Sequence, residues 1–139
     1  MARKLRKFFY EQMDLLENSV AFPLLFFRSR NVKSWKKTHS NKMRMEMERF
    51  CYDEVKKIIE RIGPKTLLII GFKTYDKLKK YGIIDIKNEK LYRGRKGRKI
   101  CHYAQWGDIP VFTVLHLTGA RISNPDFIKI QKLFFDHYM

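Results

Sequence analysis

The residues best suited to chemistry lie in His116-Leu-Thr-Gly-Ala-Arg121, directly behind the apolar run Ile109-Pro-Val-Phe-Thr-Val-Leu115. A histidine fixed at the end of a buried strand can donate to a developing oxyanion. Thr118 and the backbone at Gly119 can hold a phosphate, and Arg121 supplies a cation. The same spacing equally suits a histidine bonded only to nearby backbone. A second apolar run, Thr66-Leu-Leu-Ile-Ile70, leads into Gly71-Phe-Lys73 and puts Lys73 in a corresponding position. In open α/β sheets, ligands gather beyond the carboxyl ends of such strands.

Residues 87–99 are the most basic stretch, with seven Lys and Arg interleaved with Tyr92. That composition suits phosphate contact plus one stacking ring, with Arg93, Arg95, Lys96 and Arg98 as its densest part. Trp35 sits beside Lys36 and Lys37, where it can stack on a base or cover the adjacent core. Across 139 residues, 30 Lys and Arg against 14 Asp and Glu give a net charge of +16. Such self-repulsion opposes compaction and is best explained by a polyanionic partner. Nucleic acid, read here as DNA, fits because each cation placed near a phosphate releases counterions. No sustained basic amphipathic helix with a Trp/Leu face appears, so no membrane surface is expected. Cys51 and Cys101 are too few for a disulfide framework or a four-cysteine site, and no second pair joins Cys101-His102 at ligand spacing. No metal and no cofactor are expected.

The positioning elements follow from hydrophobic periodicity. A helix is predicted over residues 5–16, with Leu5, Phe8, Phe9, Met13 and Leu16 on one stripe. Val20-Ala-Phe-Pro-Leu-Leu-Phe-Phe27 reads as a buried strand interrupted by Pro23, far short of the ~20 residues that span a bilayer. A polar loop over 31–41 precedes a helix over 42–62. Ser40 or Asn41 caps that helix, and Met43, Met47, Phe50, Val55, Ile58 and Ile62 form its core side. Gly63-Pro64 ends it.

A strand over 66–70, a helix over 73–80, a loop or open hairpin over 87–99 and a strand over 109–115 come next. Trp106 is read as structural. Asn124 caps a last helix, with Pro125 at its first position and Phe127, Ile130, Phe134 and Tyr138 inward. Asp14 and Glu17 break the basic start, so the chain reads as unprocessed and cytoplasmic, with reduced thiols. The expected architecture is one basic α/β domain over 1–139, three layers (α/β/α) around a short, mainly parallel sheet.

The order Pro64-Lys-Thr-Leu-Leu-Ile-Ile-Gly71, short helix, then Ile109-Pro-Val-Phe-Thr-Val-Leu-His116-Leu-Thr-Gly-Ala-Arg121 resembles the C-terminal half of the uracil-DNA glycosylase-like superfamily. By that resemblance His116-Leu117-Thr118 takes the place of a His-Pro-Ser-type motif. Its histidine contacts the extruded uracil and its neighbours pinch the DNA backbone. Phe22-Pro-Leu-Leu-Phe-Phe-Arg-Ser-Arg30 is similar to the family's middle strand and arginine-containing loop, which implies DNA contacts for Arg28 and Arg30. The resemblance also implies catalytic roles for His116 and Asn18, and a place in DNA repair. It spans roughly residues 18–138.

The departures are specific. No Gly-rich, water-positioning loop precedes residue 18, and two cysteines cannot hold the iron–sulfur cluster of some members. They imply a shortened relative that keeps the fold and a DNA surface without the full catalytic set. The alternatives are a working glycosylase that hydrolyses an N-glycosidic bond, and a basic protein docking on an acidic replication, repair or defence protein.

Overall fold

The computed structural model describes residues 2–20, 32–117 and 121–138. Helices α1 (Ala2–Phe8), α2 (Met13–Glu17), α3 (Val32–Thr38) and α4 (Asn41–Ile62) precede strand β1 (Leu67–Ile70) and helix α5 (Phe72–Lys80). Strands β2 (Lys87–Arg93), β3 (Lys99–Trp106) and β4 (Ile109–Val114) and helix α6 (Asn124–Tyr138) complete the order.

The strands lie side by side as β1-β4-β3-β2. β1 pairs with β4 in parallel, Leu67 opposite Val111 and Ile70 opposite Val114. β3 is antiparallel to both β4 and β2. The fold is therefore mixed α/β with a mostly antiparallel sheet, which corrects the expectation of a mainly parallel one. The reason is local. Gly107, at φ +58°, and Asp108 close a two-residue turn between the paired Trp106 and Ile109, and so short a connection joins only antiparallel strands. This sheet establishes no finer family architecture.

Alternation along the strands divides the interior into two. Phe112 and Val114 face one side with their register partners Tyr103 and Cys101, against Phe8 and Phe9 of the N-terminal segment and Phe127, Ile130 and Phe134 of α6. Val111 and its partner Ala104 face the other, against Val55 and Ile59 of α4 and Tyr75 and Leu78 of α5. Helices thus cover both faces. Seven residues are too few for α1 to persist alone. Phe8 docks it, with ring centroids 5.9 Å from Phe127 and 5.5 Å from Phe134. Burial of one such side chain contributes roughly 1.5–3 kcal/mol. Gln131 Nε2 then donates to the carbonyls of Phe8 (2.8 Å) and Lys7 (3.1 Å), satisfying the exposed end of that helix.

Several expected elements need correction. The single helix over 5–16 is broken into α1 and α2, and α3 occupies most of the expected polar loop over 31–41. The expected core stripe of α4 is displaced: Cys51, Tyr52, Val55 and Ile59 are buried, whereas Met43, Phe50 and Ile62 are half exposed. None of residues 41–50 is buried, so the helix meets the core through its second half. β3 is an additional strand that apolar periodicity does not announce. The cap of α6 is Ser123 rather than Asn124, since Ser123 Oγ accepts from the Asp126 N–H at 3.3 Å. Of the strand expected over 20–27, all but Val20 lies outside the described residues.

Other expectations hold. Ser40 Oγ caps α4 by accepting from Met43 N–H at 3.2 Å, and Gly63 ends the helix in the left-handed region. Trp106 packs against the core cluster beneath α4 and α5.

Two buried polar groups lie side by side on the α5 face of the sheet. His102 and Thr113 are register partners, and His102 Nδ1 and Thr113 Oγ1 have no hydrogen-bond partner among the described residues. The Tyr75 ring covers His102, centroids 4.7 Å apart, while its hydroxyl donates to Glu89 at 2.6 Å. Thr113→Val removes an unsatisfied hydroxyl at constant shape, so unfolding in urea should show a gain of about 1 kcal/mol. A loss of stability would mean that the hydroxyl is satisfied.

Burial holds the His102 imidazole below its ordinary 6.5. Between the lowered value and 6.5 the unfolded chain binds more protons than the native one, so stability falls as pH drops through that window. Hydrogen bonds from Lys79 and Tyr75 hold Glu89 below its ordinary 4.5, so its own stabilisation is lost only at lower pH. Urea midpoints between about pH 7 and pH 5 should fall less steeply in His102→Gln than in the unmodified chain. Equal slopes would exclude His102 as the source.

Candidate nucleic-acid interface

Strand direction decides which ends meet. β1, β4 and β2 finish at the end of the sheet where β3 begins, and α5 leaves β1 from that same end. It therefore gathers Gly71 to Lys73, Arg93 to Lys99 and Leu115 to Leu117, with the start of α6 beside them. Those stretches of sequence contain no acidic residue before Asp126.

The hairpin tip is held rather than loose. The Gly94 N–H donates to the Arg98 carbonyl at 2.8 Å, and Lys96 and Gly97 both take positive φ. The Arg95 N–H donates to Asp126 Oδ1 at 3.0 Å, Lys129 Nζ to the Arg93 carbonyl at 2.7 Å, and the Arg98 guanidinium to the Arg121 carbonyl. Asp126 is only 7% exposed, so this carboxylate serves the backbone of the tip more than the solvent. Gly94 has no alternative there, because any side chain would run into the Asp126 carboxylate.

His116 stands exposed between two anchored leucines. The Leu115 N–H donates to the Ile100 carbonyl at 3.1 Å, and Leu117 is buried against α6. Across the parallel pair, the Gly71 N–H donates to the Val114 carbonyl at 2.8 Å. A Cβ on Gly71 would lie 3.8 Å from His116 Cδ2, so the imidazole borders the start of α5. An imidazole at such a position is of a type that can hydrogen-bond an oxygen or a base edge.

Two aromatic rings near this end already carry cations. Lys99 Nζ lies 4.1 Å from the centroid of Phe72, and Lys7 Nζ lies 4.9 Å from that of Phe127. Lys4 and Lys7 border a hollow of about 40 Å³ with Leu117, Ile122, Asn124 and Phe127. The ion pairs found among the described residues (Lys57–Glu54, Lys77–Glu48, Lys79–Glu89) all lie elsewhere.

Of the residues expected to act, Lys73, Arg93, Arg95, Lys96, Arg98, His116 and Arg121 share this end of the molecule. Asn18 does not join them. It ends α2, its Nδ2 donates to the Asp14 carbonyl at 2.9 Å, and it borders an apolar hollow along β1 with Val55 and Ile59. Arg28, Arg30, Thr118, Gly119 and the side chain of Trp35 lie outside the described residues. Lys4, Lys7 and Asp126 were not singled out from sequence. The basic run Arg3-Lys-Leu-Arg-Lys7 and the capping pattern Ser123-Asn-Pro-Asp126 carried that signal.

Among the described residues no cluster of three or more His, Cys, Asp or Glu could hold a metal ion, and no helix is long and apolar enough to cross a membrane. Burial pushes the Cys101 thiol up to about 12, which leaves it a poor nucleophile. No protein-family description, curated protein or solved structure matches this chain.

Gly71 adopts φ 101° and ψ 129°, outside what residues with a side chain tolerate. Gly71→Ala should cost roughly 1–3 kcal/mol in urea unfolding. An unchanged midpoint would show that the turn between β1 and α5 relaxes freely.

Proposed function

We propose that this chain binds DNA, gripping backbone phosphates with the basic end of its sheet, as a divergent relative of the uracil-DNA glycosylase-like superfamily. One observation carries the reading: among the described residues, cations concentrate without ion-pair partners on a tip whose backbone is tied down. Two like charges ~9 Å apart in water repel by roughly 0.5 kcal/mol, so a cluster of this size opposes folding by several such increments at low salt. A phosphate backbone reverses the sign of every one of them and releases counterions besides. Tying Arg95 and Arg98 to α6 and Arg121 lowers the ordering cost of meeting that partner. The net charge of +16 fits the same account.

A second reading, an enzyme that excises a base, is favoured by the setting of His116 next to Gly71 at the carboxyl ends of the parallel pair. There the imidazole would stabilise a departing base. Asn18 is the expected partner for water, yet it borders a different hollow, one that His116 does not line. The binding reading is therefore preferred.

Salt titration of binding to a labelled DNA tests the proposal. The logarithm of affinity should fall steeply with the logarithm of salt. Neutralising Arg93, Arg95, Lys96 and Arg98 together should flatten that slope by about 0.7–0.9 for each phosphate no longer engaged. An unchanged slope would remove the tip from the interface. Uracil release by the unmodified protein, abolished in His116→Ala, would establish the enzyme reading instead.

A further inference from the structure

From the same surface we infer that the preferred partner is duplex DNA, held through both of its backbones, rather than a single strand. This rests on the DNA-binding reading above and adds the form of the DNA. Three features of the basic end point the same way.

The first is where the cations stand. Lys4 and Lys7 belong to α1 on one face of the sheet, Lys73 to α5 on the other, and the tip residues lie at the sheet's β2 edge. Strands ~4.8 Å apart make a four-stranded sheet roughly 14 Å wide, and a helix layer adds about 10 Å on each face. Charge distributed over that footprint spans the ~12 Å between the phosphate walls of a major groove. One strand lying along a single line would meet only part of it.

The second is the state of the rings. Non-specific single-strand binders stack successive bases on open aromatic faces. Here Lys99 covers Phe72, and Phe127 is buried with Lys7 above it. Both rings hold ammonium groups at the surface instead of receiving bases.

The third is relief. A strand threaded through a protein needs a groove, whereas the hollow beside Lys4 and Lys7 is only about 40 Å³. Exposed cations such as Lys4, Lys7 and Lys73 suit the outward phosphates of a helix. The B-form is favoured over duplex RNA because the A-form major groove is deep and narrow, whereas cations spread over both faces of the sheet match the ~12 Å opening of the B-form groove.

The test compares equal lengths of mixed-sequence duplex DNA, single-stranded DNA and duplex RNA, each bound by the full chain across a salt series. Duplex DNA should bind at least about 10-fold more tightly than either other form at the same salt, with the steepest slope. Lys7→Gln with Lys73→Gln removes charge from both faces of the sheet. This pair should lower the duplex slope by the share of about two phosphates and the single-strand slope by at most about one. Equal or tighter binding of the single strand, or of duplex RNA, would overturn the inference while leaving the nucleic-acid reading standing. Absence of binding to all three would overturn both. Circular dichroism of the double variant confirms that any reduced affinity does not come from unfolding.

Discussion

Everything in this molecule hangs on the sealing of β4. Residues 111–114 are all withdrawn from water, between β1 on one side and β3 on the other, with a helix layer above and below. Each backbone amide there must be paired in a ladder, because an unpaired one in such a place costs on the order of a hydrogen bond. That requirement calls for a strand on each side, met by β1 in parallel and by β3 antiparallel through the turn at Gly107. It also sets the neighbouring end: once the ladders are in register, Gly71, Lys99 and Leu115 arrive together whatever their side chains prefer. The charged surface is a by-product of strand direction, and the apolar interior bears the cost of assembling it.

The division of labour between the two faces follows from this. On the α6 side the contact is chiefly aromatic, with Phe8, Phe112, Phe127 and Phe134 meeting edge to face or tilted, geometries that favour one arrangement over a slippery aliphatic layer. On the α5 side polar groups intrude: His102, Thr113, Tyr75 and the Glu89 carboxylate form a chain from the interior to the surface of β2. Lys79 also bonds Glu89, and Lys77 and Tyr81 reach Glu48 of α4, so acidic groups here are spent on tethering α5. These carboxylates are used where α5 needs holding, which leaves Asp126 as the carboxylate set against the basic tip.

How much of this could be read from the residues alone depended on the kind of signal each element carries. Runs of large apolar side chains bounded by turn signals, such as Leu67-Leu-Ile-Ile70 and Val111-Phe-Thr-Val114, announce strands, of which 111–114 is buried throughout and 67–70 only at Ile69. Ser40 and Gly63 announce the ends of α4 through capping chemistry. β2 carries no such sign, since six of its seven residues are solvent-facing, and β3 interleaves His102, Tyr103 and Gln105 with small or apolar neighbours. Without a recognised β3, the parallel pair alone set the expectation for the whole sheet. The misplaced stripe on α4 has a different origin: within the same turns the helix buries Cys51, Tyr52 and Ile59 beside the exposed Phe50 and half-buried Ile58, so the apolar count picks a face rotated from the buried one. The basic residues of the candidate site were visible from charge density, whereas Asp126 was hidden because its use depends on a hairpin whose closing strand was not recognised.

Among the described residues β2 is an edge strand, and its chemistry bears on how copies of this chain behave when crowded. A flat, apolar strand with unpaired amides is a template for another strand, the first step towards fibrils. Here Lys87, Lys90 and Arg93 repel an incoming copy, the register with β3 slips at two places, and Asn88 turns the backbone to φ +56°. A kinked, charged border of this sort resists stacking in the free protein. Any polyanion that neutralised those cations would weaken the repulsion while leaving the kinks, so the irregular backbone is the safeguard that does not depend on charge.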